Sequence, residues 1–367
     1  MSLKFHVFQK SGRARLGKLE LKRGSIDTPN FMPVGSKGAV KGLNTPLLRE
    51  AGAQIILANT LHLYLRPGSQ RIEKLGGLHK FMGWEGPILT DSGGFQAFSL
   101  APLKKITEEG IKFSSPIDGA KVNLTPELAI QIQEELGVDI AMVLDQLVAG
   151  DAPEKDHKHA VERTTRWAER CLNSQKRKGM NQFAIVQGGI FEELRALSAS
   201  QLKALDFPGY AAGGFCVGEN KKAFRKIASY TADLLPEEKP RYLMGVGKPL
   251  DLVEAVSWGY DLFDCVLPTR NARNGQLFTS KGKITIKRAE FMEDETPLDP
   301  ECPCHTCRSV PKAYLNHLFR VNDPTYVLMA TIHNITFYLD LMKKLRSAVA
   351  EGTLEDIYNK MKEFYPD

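Results

Sequence analysis

The sequence contains no apolar run that approaches the roughly 20 residues needed to span a bilayer. Its first six residues also lack the apolar core of a signal peptide. Cysteine is scarce, with six in 367 residues, and three of the six fall between positions 302 and 307. A secreted disulfide framework spreads many cysteines through a short chain, whereas a tight cluster indicates metal binding. We therefore expect a cytoplasmic protein without a membrane partner.

Charge of one sign is not in great excess, since the formal net charge is only +6. The basic residues are unevenly placed, however. Six of them fall within nineteen positions, namely Arg270, Arg273, Lys281, Lys283, Lys287 and Arg288. Such a cluster is typical of a surface that follows nucleic-acid phosphates, but a solvated surface without a partner has the same composition. Charge alone leaves both interpretations open.

Strand-like and helix-like segments alternate along most of the chain. Eight short β-type runs occur, at residues 31–34, 54–58, 87–90, 139–144, 183–187, 210–213, 241–245 and 260–264. Helical patterns fill several of the gaps, at residues 126–136, 153–178, 219–234 and 249–258. This alternation predicts parallel βαβ units, and eight units favour a closed barrel over an open sheet. We predict an irregular (β/α)8 TIM barrel, which typically needs about 250 residues.

The character of the sequence changes after the eighth run. Residues 275–287 alternate like a hairpin, the cysteine cluster follows, and a helix capped by Asp323 comes last. Residues 97–123, between the third and fourth runs, are predicted to add a small β element. We therefore divide the chain into a barrel, residues 1–274, and an appended zinc-binding subdomain with C-terminal helices, residues 275–367.

Two aspartates stand at the carboxyl ends of predicted strands, where barrels of this kind build their active sites. Asp91 follows the third run and Asp264 ends the eighth. A pair of carboxylates can replace a glycosidic bond by double displacement, with one as nucleophile and the other as general acid/base. Taken singly, Asp91 suits a simple turn and Asp264 suits a helix N-cap. Their joint position favours catalysis, with Asp264 as nucleophile and Asp91 as acid/base.

Three further strand-end residues suit recognition of a purine-like base. Asp145 ends the very apolar fourth run, and its carboxylate can accept two N–H groups from a guanine-like edge. Gln187 and the backbone of Gly214 can complete that edge. Gly93 and Gly94 lack a Cβ atom and so let the backbone approach a planar ligand closely.

Three thiolates and one imidazole are available as metal ligands, from Cys302, Cys304, Cys307 and His333. Zinc takes tetrahedral sets of this kind in closed structural sites. His305 and His317 are nearby alternatives to His333, but His305 lies inside the cysteine loop and would complete a tetrahedron only with strain. We predict one structural Zn2+ ion.

At this point the motifs match a known family. In chain order they are Asp91-Ser92-Gly93-Gly94-Phe95-Gln96, Val186-Gln187-Gly188-Gly189, Gly213-Gly214-Phe215-Cys216-Val217-Gly218-Glu219, Met244-Gly245-Val246-Gly247, Asp264-Cys265-Val266-Leu267-Pro268-Thr269-Arg270 and the cysteine–histidine set. Over essentially its full length the chain resembles the bacterial type of tRNA-guanine transglycosylase, or queuine tRNA-ribosyltransferase. The resemblance implies exchange of guanine at the anticodon wobble position of tRNAs for Asp, Asn, His and Tyr. It also implies a free deazaguanine base as second substrate and a homodimer.

The resemblance further implies roles by position. Asp264 attacks the ribose anomeric carbon, while Asp91 transfers the proton and touches the incoming base. The implied base-binding residues are Asp91, Ser92, Gly93, Gly94, Phe95, Asp145, Gln187, Gly214, Phe215, Cys216, Glu219 and Met244. Phe95 and Met244 would be stacking walls, and Glu219 would support the peptide that follows Phe215. The implied tRNA contacts are Gly245, Val246, Gly247, Lys248, Pro249, Leu250, Asp251, Thr269, Arg270, Asn271, Ala272 and Arg273.

Two departures from the family pattern bear on the incoming base. Bacterial members usually have cysteine where this chain has Leu147, and leucine and alanine where it has Phe215 and Cys216. The bulkier Leu147 favours queuine, which carries a cyclopentenediol. Val217 favours the smaller aminomethyl base preQ1, since queuine users tend to have glycine there. We hypothesise preQ1.

Two rival interpretations remain at this stage. A non-catalytic RNA-binding paralogue would keep the fold, but the presence of Asp91, Asp264 and Gln187 argues against it. A retaining sugar hydrolase would generally pair glutamates with aromatic platforms. Only three tryptophans occur, and none of them adjoins either aspartate: Trp84, Trp167 and Trp258.

Overall fold

The computed structural model describes residues 3–100, 104–215 and 220–366. The strands are β1 (Lys4–Ser11), β2 (Ala14–Leu21), β3 (Gly24–Thr28), β4 (Asn30–Met32), β5 (Ile56–Ala58), β6 (Ile88–Thr90), β7 (Lys104–Ile106), β8 (Ile111–Ser114), β9 (Lys121–Leu124), β10 (Ile140–Met142), β11 (Asn181–Val186), β12 (Gly209–Ala212), β13 (Arg241–Leu243), β14 (Leu262–Asp264), β15 (Gln276–Thr279) and β16 (Gly282–Thr285). Two predicted base-binding residues, Cys216 and Glu219, lie outside the described residues.

The helices are α1 (Thr45–Glu50), α2 (Thr60–Leu65), α3 (Ser69–Lys74), α4 (Leu78–Met82), α5 (Gly94–Leu100), α6 (Pro126–Leu136), α7 (Glu154–Ser174), α8 (Glu192–Ala204), α9 (Lys221–Leu234), α10 (Pro249–Ser257), α11 (Leu267–Arg273), α12 (His305–Ser309), α13 (Lys312–Arg320), α14 (Pro324–Glu351) and α15 (Leu354–Phe364). A short 3-10 helix spans Ala289–Phe291. None of the described helices combines the length and the apolarity that a bilayer span requires.

Eight strands form one parallel barrel. Their order around the sheet is β4, β14, β13, β12, β11, β10, β6, β5, which is chain order read around a ring. The gap between β4 and β5 is bridged where Leu57 donates to the Pro33 carbonyl at 3.0 Å and Gly35 donates to the Leu57 carbonyl at 2.6 Å. Every one of the eight predicted runs overlaps a barrel strand. The (β/α)8 prediction is therefore confirmed.

The barrel strands are short and almost wholly buried. β5, β6, β10 and β13 have three residues each, and every residue in them is buried. Helices cover the outside of a parallel barrel, so its strands are apolar on both faces and do not alternate with polar residues. This is why continuous apolar runs located them in the sequence.

An N-terminal antiparallel sheet of β1, β2 and β3 was not predicted. It is anchored by Arg15 on β2, whose Nε donates to Oδ1 of Asp261 at 3.1 Å and whose Nη2 pairs with Oδ2. Both side chains are almost fully buried. Asp261 immediately precedes β14, so this sheet packs at the amino ends of the barrel strands. Asp264 lies at the opposite end.

The appended part begins with the predicted hairpin, formed by β15 and β16. The long helix α14 starts after Asp323, whose carboxylate caps it by accepting from the Thr325 N–H at 2.8 Å. Its first turns pack in a small hydrophobic cluster with the cysteine loop, through Tyr326 and Ala330. Its later residue Tyr338 belongs to the main barrel core. The helix α14 thus contributes to both hydrophobic cores. The division of the chain into two domains near residue 274 stays a prediction.

Candidate active site

Asp91 lies just past β6, and three donors hold its carboxylate. The Thr60 N–H donates to Oδ1 at 2.9 Å, the Gln96 amide donates to Oδ2 at 2.7 Å, and the Asn59 amide also donates to Oδ2. Burial raises the pKa of Asp91 to about 6 although these three donors oppose the shift, and the charge of Asp264 raises it further. A carboxyl group with a pKa near neutrality can both give and accept a proton.

Asp264 ends β14 and is partly exposed. The Tyr242 hydroxyl donates to its Oδ1 at 2.6 Å, and the Gly245 N–H donates to the same oxygen at 2.8 Å. Oδ2 accepts no hydrogen bond from any residue that the structure describes. Desolvation raises the pKa of Asp264, while the two donors oppose that rise. One oxygen is thus fixed, and the other is available to react.

The two aspartates and Tyr242 lie close enough together to act on one another electrostatically. The charge of Asp264 acts on Asp91, and the charges of both aspartates help to raise the pKa of Tyr242 well above its usual value, after the larger effect of burial. The effect of Asp264 on Asp91 is smaller than that of burial and of the three donors. The predicted convergence of Asp91 and Asp264 on one end of the barrel is therefore observed.

A second polar network joins three strand ends beside this pair. The Ser92 hydroxyl donates to Oδ1 of Asp145 at 3.0 Å, and the Gln187 amide donates to Oδ2 at 2.6 Å. All three side chains are buried. Burial raises the pKa of Asp145, against the effect of these two donors. Because each carboxylate oxygen has two lone pairs, Asp145 can still accept from a ligand.

Gly94 and Gly214 have no side chain, and this allows their backbone to lie close to Asp145 and Gln187. A Cβ atom at Gly94 would lie 2.9 Å from the Asp145 carbonyl oxygen. A Cβ atom at Gly214, where φ is +72°, would lie 2.4 Å from Oε1 of Gln187. The sulfur of Met244 is 3.6 Å from the position that a Cβ atom on Gly213 would take. The structure thus brings Gly214, Gln187 and Met244 together, as predicted.

The two predicted aromatic residues differ in exposure. Phe95, on α5, is 50% exposed and can face a ligand. The Phe215 ring is buried, and it packs edge-on against Phe224 with ring centroids 5.5 Å apart. The guanidinium of Arg195 lies 4.3 Å from the centre of the Phe215 ring. Phe215 can therefore contribute to a base site through its backbone and not through its ring.

Arg195 itself was not predicted from the sequence. It is fully buried on α8, and its Nη1 donates to the carbonyls of Val186 at 2.9 Å and Gly213 at 2.8 Å. Its Nε donates to the Gly189 carbonyl at 2.9 Å. One cation therefore holds together the carboxyl ends of β11 and β12. No pattern in the sequence marks this arginine, because these three contacts are with backbone carbonyls.

The two segments expected to contact tRNA are only partly accessible. Lys248 and Arg270 are exposed and Arg273 is half-buried, whereas the side chains of Val246 and Ala272 are buried. Four further residues of these segments are also buried, namely Pro249, Leu250, Asp251 and Thr269. Only a few side chains of these segments are accessible to a ligand. Among them, the cationic side chains of Lys248, Arg270 and Arg273 are best suited to contact phosphate groups.

Further basic side chains lie beside these segments. Burial and then the charges of Arg273 and Lys37 lower the pKa of Lys41. The pKa of His62 is lowered by burial and by the charges of Lys37 and Lys41. Lys37 and Lys41 follow β4, and His62 follows β5, so they belong to the same end of the barrel as Asp264. They were not predicted from the sequence.

The predicted metal ligands converge. One ligand atom from each of Cys302, Cys304, Cys307 and His333 lies within 4.8 Å of the others. The His333 Nε2 donates a hydrogen bond to the Phe278 carbonyl at 2.7 Å. The lone pair of Nδ1 is therefore the one that can bind a metal ion, and Nδ1 lies 3.2 Å from the Cys307 sulfur. His305 is instead within hydrogen-bond distance of Ser309. Three thiols and a suitably oriented imidazole fit a tetrahedral metal ion.

Comparison with known proteins decides the family. The family model for queuine tRNA-ribosyltransferase matches residues 10–367. The chain belongs to this family. A queuine tRNA-ribosyltransferase of Francisella tularensis subsp. novicida (strain U112) is 51% identical over 350 residues, which cover 95% of each chain. Another, from Idiomarina loihiensis, is 50% identical over 365 residues, which cover 100% of this chain and 97% of that protein.

Membership in the queuine tRNA-ribosyltransferase family confirms the resemblance drawn from the motifs. It also confirms the predicted enzyme class, a tRNA-guanine transglycosylase, and argues against a barrel that hydrolyses sugars. The matched region includes all four of the site residues Asp91, Asp145, Gln187 and Asp264. Their individual roles rest on the geometry.

Proposed function

We propose that this protein exchanges the wobble guanine of tRNAs for Asp, Asn, His and Tyr for the free base preQ1, through a covalent ribosyl ester on Asp264. One observation carries the proposal. Oδ1 of Asp264 is fixed by Tyr242 and Gly245, Oδ2 is unengaged among the described residues, and the pKa of the neighbouring Asp91 is about 6. This is the arrangement that a nucleophile and its acid/base partner require.

The reaction then proceeds in two balanced displacements. In the first, Oδ2 of Asp264 bonds to the ribose anomeric carbon, the bond to guanine breaks, and Asp91 supplies a proton to the departing base. In the second, Asp91 takes a proton from the incoming deazaguanine, whose nitrogen bonds to the anomeric carbon as the ester breaks. Each displacement inverts that carbon, so the net result is retention. One glycosidic bond replaces another, and the proton on Asp91 is restored.

Base recognition falls to the network around Asp145. Its carboxylate has lone pairs left for the N–H groups of a guanine-like edge, and Gln187 and the Gly214 backbone adjoin it. Met244 and the exposed Phe95 ring are proposed to stack on the two faces of the base. Cys216 and Glu219 remain part of this proposal, although they lie outside the described residues. A wobble guanine in a loop can be turned outward at a cost of a few kcal/mol, because it is not held in a duplex.

The tRNA would be held beside this pocket. Lys248, Arg270 and Arg273 are the accessible cations of the two predicted segments, and Lys37 and Lys41 extend the same basic surface. Cations clustered around a reaction site favour the phosphates on either side of the extruded nucleotide.

The metal is proposed to be one Zn2+ ion held by Cys302, Cys304, Cys307 and His333. When bound, it would tie the cysteine loop to α14. All four positions of a tetrahedron would be filled by protein, so we assign it a structural role within the appended subdomain, residues 275–367.

The protein is also proposed to form a homodimer. Tyr314 on α13, Val321 at the C-cap of that helix and Leu328 on α14 leave exposed apolar surface that such contact would cover, and light scattering tests this.

A single sequence of assays tests the reaction. Labelled guanine is first incorporated into unmodified tRNA and then chased with free preQ1 or free queuine. The proposal expects preQ1 to displace the label; preferential displacement by queuine would refute the choice of base and match the reasoning from Leu147. A covalent tRNA adduct should be trapped with the wild type and not with Asp264→Asn. An adduct formed equally by Asp264→Asn would refute the nucleophile, and tRNA binding without any exchange would favour the non-catalytic paralogue.

A further inference from the structure

Asn334 is a fully buried polar residue on α14, next to the metal-ligating position His333. Its Nδ2 donates to the Pro268 carbonyl at 2.9 Å and to the Gln276 carbonyl at 3.1 Å. Its Oδ1 accepts from the Phe278 N–H at 3.1 Å. One amide therefore satisfies three backbone groups on two other elements. Buried backbone groups left unsatisfied are costly, so these contacts fix the relative positions of those elements.

The first of these elements is the edge of the hairpin. Phe278 lies on β15, and its N–H and carbonyl are bound by Asn334 and His333 respectively. Two consecutive side chains of α14 thus replace the missing neighbour strand at this point of the sheet edge. The hairpin is held against the helix that carries the predicted metal ligand.

The second element is α11, which begins three residues after Asp264. α14 holds it at two points. Asn334 binds the Pro268 carbonyl near its start, and the Tyr326 hydroxyl donates to the Ala272 carbonyl near its end at 3.0 Å. Between and beyond these anchors, α11 presents Arg270 and Arg273. The position of both cations therefore depends on α14.

Asp264 does not depend on the same contacts. Its carboxylate is oriented by Tyr242 and by the backbone of Gly245, both of which belong to β13 and the loop after it. A change at Asn334 can consequently move the cations of α11 while the donors to the Asp264 carboxylate remain in place. This separation makes the role of Asn334 measurable.

We infer that Asn334 is a positioning residue that sets α11, and with it Arg270 and Arg273, for engagement of tRNA phosphates. The inference rests on the proposed function, because it assumes that α11 meets tRNA. Asn334→Ala removes all three bonds. Asn334→Asp removes the two donated bonds, including the one to α11, and keeps an acceptor for the Phe278 N–H. Both variants should weaken tRNA binding, since each loses the anchor at Pro268.

Asn316 provides a matched control. It is a buried asparagine in the same appended part, and its Nδ2 donates to the carbonyls of Ile286 at 2.7 Å and Arg288 at 2.9 Å. Asn316→Ala therefore loses two bonds to backbone and the bond that the Arg320 Nε donates to its Oδ1 at 2.9 Å, and none of these three bonds reaches α11. It controls for a general loosening of the subdomain.

The experiment measures KM for tRNA, KM for preQ1, kcat, metal content and the salt dependence of tRNA binding. For Asn334→Ala we expect about a tenfold higher KM for tRNA, with kcat, KM for preQ1 and metal content close to the wild type. The slope of log affinity against log salt should also become shallower by about one for each lost phosphate contact. Asn316→Ala should resemble the wild type in every one of these values.

A double-mutant cycle keeps the test decisive. If Asn334 acts through Arg270 and Arg273, then Asn334→Ala should add little to the effect of the double variant Arg270→Ala/Arg273→Ala on tRNA affinity. Full additivity, an unchanged salt slope, or equal losses in the Asn334 and Asn316 variants would overturn the inference. The binding measurements need no exchange reaction. A wild type that binds tRNA but exchanges no base would sink the proposed function and leave the inference about Asn334 to be judged separately.

Discussion

The Tyr242 hydroxyl donates a 2.6 Å hydrogen bond to Oδ1 of Asp264, across two neighbouring strands of the barrel. Together with the Gly245 N–H it leaves Oδ2 as the oxygen that can attack. The same bond lowers the pKa of Asp264 against the larger upward effect of burial. One hydroxyl thus both orients the proposed nucleophile and favours its charged form.

Tyr242→Phe removes this hydroxyl and keeps the ring. We expect the pKa of Asp264 to rise, so that a smaller fraction is ionised and the acid limb of the kcat/KM profile moves to higher pH. A loss of one such hydrogen bond to a charged group costs about 1.5–3 kcal/mol, which corresponds to roughly a 10- to 100-fold lower kcat. Tyr260→Phe is the control, because its hydroxyl donates to the Ala228 carbonyl away from the two aspartates. Equal profiles for the wild type and Tyr242→Phe would contradict the assignment.

Gln96→Leu tests the proposed acid/base role of Asp91. The Gln96 amide donates to Asp91 and lowers its pKa, so its loss should raise that pKa above its present value of about 6. Steps that need the Asp91 carboxylate should then slow most at and below neutral pH and recover as the pH rises. The pH dependence of kcat/KM for preQ1 is the measurement. Gln182→Leu serves as a comparison, since Gln182 is buried but bonds to Cys171 and Gln175 instead; a shift of the same size in both variants would argue against a specific effect on Asp91.

The barrel strands and their ends were predictable from the sequence, and two missed residues follow from the same rules. Tyr242 lies on β13 and Met244, two positions on, directly follows that strand, so the alternation of strand side chains suggests the same side for both, and Met244 was already assigned to the base site. Asn59 directly follows β5, just as Asp91 follows β6. Applying the strand-end rule to every strand would have found it.

Other features depend on contacts that no local pattern records. The strand β1 is largely exposed and carries charged residues, so it lacks the apolar signal that located the barrel strands. Arg15 and Asp261 are 246 positions apart. Arg195 acts on backbone carbonyls, which have the same chemistry at every position. Such groups are identified only when the fold brings them together.

Arg15→Met tests the role of the N-terminal sheet in stability. The substitution leaves Asp261 buried without its cation, and breaking a buried pair from one side costs about 3–5 kcal/mol. Burial already raises the pKa of Asp261, and the loss of Arg15 should raise it further. The folded state then favours the protonated acid, so the destabilisation should be greatest at neutral pH and should shrink as the pH falls. Urea unfolding at several pH values measures it. The double variant Arg15→Met/Asp261→Asn should recover part of the loss, and no recovery would contradict the pairing.

Cys302→Ala tests the metal centre against a cysteine of another kind. Cys302 contributes one of four converging ligand atoms, so its loss should reduce the bound metal from about one ion per chain and lower the unfolding temperature. Cys171 is also buried, but burial raises the pKa of its thiol to about 12, and it lies apart from the cluster. Cys171→Ala should keep the full metal content, and any loss of stability should reflect packing alone. Metal analysis and thermal unfolding, with and without a chelator, distinguish the two. Because thiolates bind the metal and thiols do not, acidification should release it from the wild type and leave Cys302→Ala little changed; equal metal content in both variants would show that the four residues do not form the site.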